Sequence, residues 1–164
     1  DNMTFNINEH KWGGSGIEKE LFLFIKDNFK ENSIVVELGG GFCSTPALSS
    51  LYQLYTVEQS EKFISENVNT SWIHAPIDST GWYSADKVRQ GLPKEYDLLF
   101  VDGPAGEGNR YGILDNLDVI PEGCKIILHD TYREPERDLS RKLAMQLGMD
   151  IKFYEDGDFW AVLS

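Results

Sequence analysis

SIVVELGGGFCSTPALSSLYQLYTVEQSE, residues 33–61, reads as a strand, a glycine turn, a helix and a second strand. Ile34, Val35, Val36 and Leu38 form a short apolar, β-branched run, the pattern of a parallel strand covered on both faces. Glu37 interrupts it near its carboxyl end. Gly39, Gly40 and Gly41 follow, and glycine tolerates positive φ and lets a ligand approach the main chain where a Cβ would block it. Ser44 and Thr45 are positioned to N-cap a helix with Pro46 in its first turn, and Leu48, Leu51, Tyr52 and Leu54 would give that helix an apolar side. The chain re-enters a strand at Leu54 to Val57 and stops on Glu58. An acid about 20 residues beyond a glycine turn, at the tip of the second strand, can accept hydrogen bonds from both hydroxyls of a ribose. The bland alternative is a glycine-rich turn in an α/β domain that binds nothing.

Two nucleoside cofactors suit this unit. A dinucleotide fingerprint requires G-x-G-x-x-G, and after Gly39 and Gly41 the third position is Ser44. The pattern is instead E-x-G-x-G from Glu37, and in this it resembles the class I S-adenosylmethionine-dependent methyltransferases. The resemblance implies that Glu37 lies near the methionine ammonium, that Gly39, Gly40 and Gly41 pass under the cofactor, and that Glu58, with Gln59 beside it, holds the ribose. It further implies that an acid in Ala75–Gly81 meets the adenine amino group, for which Asp78 is the candidate and Ser79 its neighbour.

Working outward, residues 1–15 are polar apart from a Trp12-Gly13-Gly14-Ser15 stretch and read as a flexible leader able to fold over a ligand or as a poorly ordered tail. Within 16–30, Ile17, Leu21, Phe24, Ile25 and Phe29 fall at helical spacing, predicting a helix that covers the sheet. Helices are also expected over Ser60–Asn67, from Arg110 through Leu117, and over Pro135–Leu147, the last stopped by Gly148. Ser71–Ala75, Tyr96–Val101 and Cys124–Leu128 read as further strands. Trp82 and Tyr83 either pack on an adenine or cover the core, and core packing is the favoured reading. Asp150–Tyr154 and Phe159–Leu163, joined across Asp156-Gly157, predict a terminal hairpin. The expectation is one α/β domain over 1–164, with a Rossmann-like, mostly parallel seven-stranded sheet, a C-terminal antiparallel hairpin and helices on both faces. That ending is what the resemblance implies and argues against a nicotinamide-dependent oxidoreductase.

Composition narrows the partners. Asp and Glu outnumber Lys and Arg by 27 to 15, and a net charge of -12 repels a phosphate backbone, so no nucleic-acid substrate is expected. No apolar run has the length of a membrane span. Cys43 follows the first strand and Cys124 opens a later one, so free thiols and a reducing, cytoplasmic setting are expected. No signal peptide is visible, and a start at Asp1 is compatible with a longer native N-terminus.

The loops DGPAGEGNRYGIL and LHDTYREPER look like those of compact bacterial methyltransferases and, more distantly, of glucuronoxylan O-methyltransferases. The resemblance therefore implies methyl transfer from S-adenosylmethionine, with a hydroxyl of a small molecule or sugar as the expected acceptor. An N-methyltransferase acting on an amine or a protein side chain, and a non-catalytic cofactor-binding module serving a partner protein, are the alternatives. His129, with an ordinary imidazole pKa of ~6.5, is the first candidate base and Asp102 the second, Asp102 belonging to the cofactor-binding set as well. The catechol-type enzymes hold magnesium through an acid after the fourth strand and an Asp-Asn pair after the fifth. Asp102 and Asp130 are therefore candidate metal ligands, although Thr131 stands where Asn is expected. Arg110 and Arg133 are candidates for binding a substrate carboxylate or phosphate, with pairing to nearby acids as the duller account. A short chain has little material for a lid, so Trp12 and the leader, or a second subunit of a homodimer, are its expected sources.

Overall fold

The structure, a computed structural model, describes residues 5–164. Seven strands form one sheet: β1 (Ile34–Leu38), β2 (Gln53–Glu58), β3 (Ser71–His74), β4 (Leu98–Val101), β5 (Lys125–His129), β6 (Ile151–Glu155) and β7 (Phe159–Leu163). Their order is β3-β2-β1-β4-β5-β7-β6. Strands β1 to β5 pair in parallel, while β7 runs antiparallel to both β5 and β6. The expected α/β sheet and terminal hairpin are both present. Because the chain moves outward from β1 through β2 and β3 and then returns to β4, the carboxyl ends of β1 and β4 flank a topological switch point, where open α/β sheets bind ligands.

Alternation along the strands divides the core. Val36, Leu38, Leu99, Val101, Ile126 and Leu128 face one side with Trp82 and Tyr83, both buried, as core packing required. Val35, Leu98, Phe100, Ile127 and Trp160 face the other, against Leu21, Phe22 and Ile25 of α1 (Lys19–Asn28). The remaining helices are α2 (Ser44–Ser49), α3 (Ala85–Gly91) and α4 (Glu134–Leu147), the last ended by Gly148 in the left-handed region.

Several local expectations are corrected. Helix α2 stops at Ser49, leaving Leu51, Tyr52 and Leu54 outside it, because the hydroxyls of Ser49 and Ser50 donate to the carbonyls of Pro46 and Ala47. Ser60–Asn67 yields only one tight turn at Glu61–Phe63, and the Ser65 carbonyl accepts from the Trp72 indole. The segment from Arg110 winds as a 3₁₀ helix to Asp115 and again over Leu117–Val119. The Asn116 side-chain amide donates to the Gly112 carbonyl at 2.8 Å, taking the acceptor an α-helix would use. Helix α3, with Val88 as its buried residue, has too few apolar positions to be read from periodicity. Nor are residues 5–15 a loose tail: Phe5, Ile7 and Trp12 pack against the α1 side of the core, and Trp12 lies 5.2 Å from the Phe22 ring. Residues 1–4 of the expected leader lie outside the described residues.

In the glycine turn Gly40 is closely approached by the side chains of Thr56 and Trp72, and Gly39 by backbone. Gly39 has φ +94, and a Cβ there would stand 2.6 Å from the carbonyl oxygen of Asp102, whereas a Cβ on Gly41 would meet nothing. Gly39→Ala is expected to lower the unfolding free energy by about 1–3 kcal/mol, and Gly41→Ala to change it by no more than about 0.5 kcal/mol, both read by urea denaturation. Equal effects would show that the turn is not fixed by this contact.

Candidate active site

The carboxyl ends of β1, β4 and β5 open into a cleft of about 1510 Å³ lined by Gly39, Gly40, Gly41, Glu58, Gln59, Asp102, Arg110, His129, Asp130 and Arg133. Gly13–Gly16 of the N-terminal segment form part of its wall, while Trp12 packs into the core instead of folding over it. Glu58 binds the glycine turn to the tip of β2: its two oxygens accept from the backbone N–H of Gly40 at 3.0 Å and of Ser60 at 2.8 Å. Burial raises its pKa, and these N–H groups partly offset the rise. The Gln59 side chain accepts from the Ala105 backbone N–H at 3.2 Å. Asp78 and Ser79 line a neighbouring hollow of about 800 Å³ that shares Gln59, Ser60 and Lys62 with the cleft. The Asp78 carboxylate accepts from the hydroxyl and backbone N–H of Thr80, which lower its pKa.

Glu37 is not on the cleft wall. Fully buried, it accepts from the hydroxyls of Ser44, of Thr45 at 2.7 Å and of Thr56 at 3.2 Å. Ser44 and Thr45 therefore bind Glu37 instead of capping α2, and Glu37 acts as a clamp beneath the turn, which corrects its expected contact with a methionine ammonium. Burial raises its pKa to about 7, against the lowering effect of the Ser44 and Thr45 hydroxyls.

A charge network occupies the other half of the cleft. His129, 3% exposed, has its Nδ1 2.9 Å from an Asp102 oxygen and its Nε2 2.9 Å from both Asp158 oxygens. Burial opposes a charge on the ring, but the hydrogen bonds to Asp102 and Asp158, with the nearby charges of Asp102 and Asp130, raise its pKa to about 10. A ring charged at neutral pH with both nitrogens engaged has no lone pair to offer, so His129 is not a general base here. Asp158, which the sequence reading missed, also accepts from the Glu18 backbone N–H at 2.9 Å and so fastens the hairpin loop to the start of α1. Burial disfavours its charge, but His129 holds its carboxyl below the usual range. Arg110 meets Asp130 at 3.2 Å and Asp102 and Glu136 at 3.8 Å each, so it pairs with acids and is not open to a substrate anion. Arg133 is half-exposed, lies 5.3 Å over the Tyr132 ring, and makes only long contacts with Asp130 and Glu136.

Asp102, His129 and Asp130 offer ligand atoms within 4.8 Å of one another, a spacing compatible with an ion. The side chains do not fit one as they stand. Both His129 nitrogens are committed, Arg110 lies among the carboxylates, and Thr131 is buried off the cleft wall. The expected metal role of Asp102 and Asp130 is not supported. The glycine turn and Glu58, by contrast, fit a nucleoside cofactor, with open space over Gly41 and an acid at the tip of β2.

No protein-family model and no curated protein matches the chain. Solved structures do. Precorrin-8w decarboxylase of Methanobacterium thermoautotrophicum superposes with a TM-score of 0.65 at 15% identity, covering 95% of this chain and 96% of that one. A putative caffeoyl-CoA O-methyltransferase from Staphylococcus aureus gives 0.58 at 16% identity, over 88% and 80% of the two chains. Magnesium protoporphyrin IX methyltransferase from Synechocystis, solved with bound S-adenosylmethionine, gives 0.53 at 14% identity, over 88% and 74%. The chain has the class I S-adenosylmethionine-dependent methyltransferase fold.

A folded-state pKa of about 10 against ~6.5 in the unfolded chain means that the stabilisation from His129 is complete below about pH 6.5 and is lost as pH rises towards 10. In NMR titration the His129 ring resonance should stay at its charged position from pH 5 to about 8. A midpoint near 6.5 would contradict the network.

Proposed function

We propose that this chain is a methyltransferase that uses S-adenosylmethionine to methylate a hydroxyl of a small molecule or sugar. The observation that carries the reading is the continuity of the cleft: the wall that holds the glycine turn and Glu58 also holds Asp102, Asp130, Tyr132, Arg133 and Phe159. Its volume exceeds the roughly 300–1,000 Å³ of a typical small-ligand pocket, which suits two reactants side by side. Glu58 and the Gly39–Gly41 backbone would hold the cofactor's ribose and methionyl portions, with Asp78 near the adenine. When bound, the cofactor supplies a methyl group activated by a sulfonium.

The protein's own part is orientation and proton removal. Asp102 takes the role first assigned to His129: its carboxylate faces the cleft, one oxygen is fixed by the His129 ring, and the other can accept the acceptor hydroxyl's proton. His129 is the positioning residue behind it. Tyr132, 61% exposed, and Phe159 stand edge to face with ring centroids 5.9 Å apart and offer aromatic surface to an acceptor, with the Arg133 guanidinium alongside. Four carboxylates, from Asp102, Asp130, Glu136 and Asp158, face two enclosed cations, Arg110 and His129. That surplus favours a second reading, an amine acceptor held as its ammonium form before deprotonation.

Transfer of a labelled methyl group to a panel of hydroxyl and amine compounds tests the reading, with turnover on one hydroxyl compound as the expected result. Asp102→Asn should then lower kcat by about 10²-fold or more, and Glu58→Gln should weaken cofactor binding at least about tenfold, the worth of a charge-assisted hydrogen bond. Full activity in Asp102→Asn would remove Asp102 from proton removal, and unchanged affinity in Glu58→Gln would remove Glu58 from the ribose.

A further inference from the structure

We infer that Arg110 is the resident cation of the carboxylate cluster at the ends of β4 and β5, standing in place of a divalent ion. Asp102, Asp130 and Glu136 converge on one guanidinium, at 3.8, 3.2 and 3.8 Å. The Arg110 side chain is only 10% exposed. Its Nε donates to the Pro104 carbonyl at 3.4 Å, and the Asn109 side chain accepts from the Tyr111 backbone N–H at 2.9 Å where the 3₁₀ segment begins. The group is thus anchored in the cluster. Carboxylates brought this close repel one another, and an enclosed guanidinium among them offsets that repulsion and holds them in position.

The competition with an ion is direct. A hard divalent cation needs several oxygen ligands and gives up water reluctantly. Here the Asp130 oxygen nearest Arg110 is already paired, the Asp102 oxygen nearest His129 is shared between the imidazole and the guanidinium, and the buried Thr131 hydroxyl does not face the cleft. Arg110 is therefore a positioning residue: it fixes the carboxylates, and by filling their centre it keeps divalent ions out.

Titration with Mn²⁺, followed by the paramagnetic resonance signal of the free ion, tests this without reference to catalysis, so its outcome is separate from that of the methyltransferase reading. The wild-type protein should show no stoichiometric site below the millimolar range, and Arg110→Lys, which keeps a cation, should behave the same way. Arg110→Ala should gain a site at least about tenfold tighter than any in the wild type, lost again when Asp130→Asn is added. A tight wild-type site abolished by Asp130→Asn would overturn the inference, as would a folded Arg110→Ala protein that binds no more Mn²⁺ than the wild type. Should Arg110→Ala fail to fold, Arg110→Gln provides the neutral variant and the wild-type arm stands by itself.

Discussion

At the carboxyl ends of β1 and β4 two backbone segments lie in contact, the Gly39 turn against Asp102 and Gly103, with no room for a side chain on either glycine: a Cβ on Gly39 would meet the Asp102 carbonyl at 2.6 Å, and one on Gly103 the Gly39 Cα at 3.0 Å. This contact sets how far the glycine turn stands from the Asp102 carboxylate, and with it the distance between the two halves of the cleft. From below, Glu37 holds the turn through three hydroxyls of α2 and β2, and from the side Glu58 holds it through the Gly40 N–H. Asp102 fixes His129, His129 fixes Asp158, and Asp158 accepts from the start of α1. A sequence of short polar contacts thus runs from Asp102, beside the glycine turn, to the N-terminal helix that covers the sheet.

The electrostatics of the two halves differ in purpose. Beneath the glycine turn a single carboxylate, Glu37, is raised in pKa by its burial, and the hydroxyls of Ser44, Thr45 and Thr56 only partly offset the rise. In the other half of the cleft, carboxylates and enclosed cations alternate. That alternation gives the Asp102 carboxylate a fixed orientation. It also explains why an imidazole at a strand end, the residue type best suited to proton transfer by its ordinary pKa, is committed instead to holding its neighbour.

Much of this fold was legible in the sequence because buried parallel strands announce themselves as short apolar runs, and Ile34–Leu38, Leu98–Val101 and Lys125–His129 contain such runs. The glycine turn, Glu58 and the Asp-Gly hairpin were legible for the same reason: each is a local pattern with a local cause. What escaped was non-local. Asp158 reads as a solvated hairpin acid, and only the packing of β7 beside β5 brings it to His129, 29 residues earlier. That Arg110 pairs with acids was open in the sequence, but that Asp102 and Asp130, from the ends of two different strands, are among its partners was not. Ser44 and Thr45 had the chemistry of helix caps, but a buried acid seven and eight residues earlier was the better acceptor. Short segments failed where side chains took backbone acceptors, at Ser49, Ser50 and Asn116.

The central claim is that this cleft is built for a sulfonium-type nucleoside donor, and calorimetric titration with S-adenosylhomocysteine beside NAD measures that most directly. Saturable binding of S-adenosylhomocysteine at one site per chain, with none of NAD, is the predicted result. Binding of NAD in its place, or of neither, would contradict it.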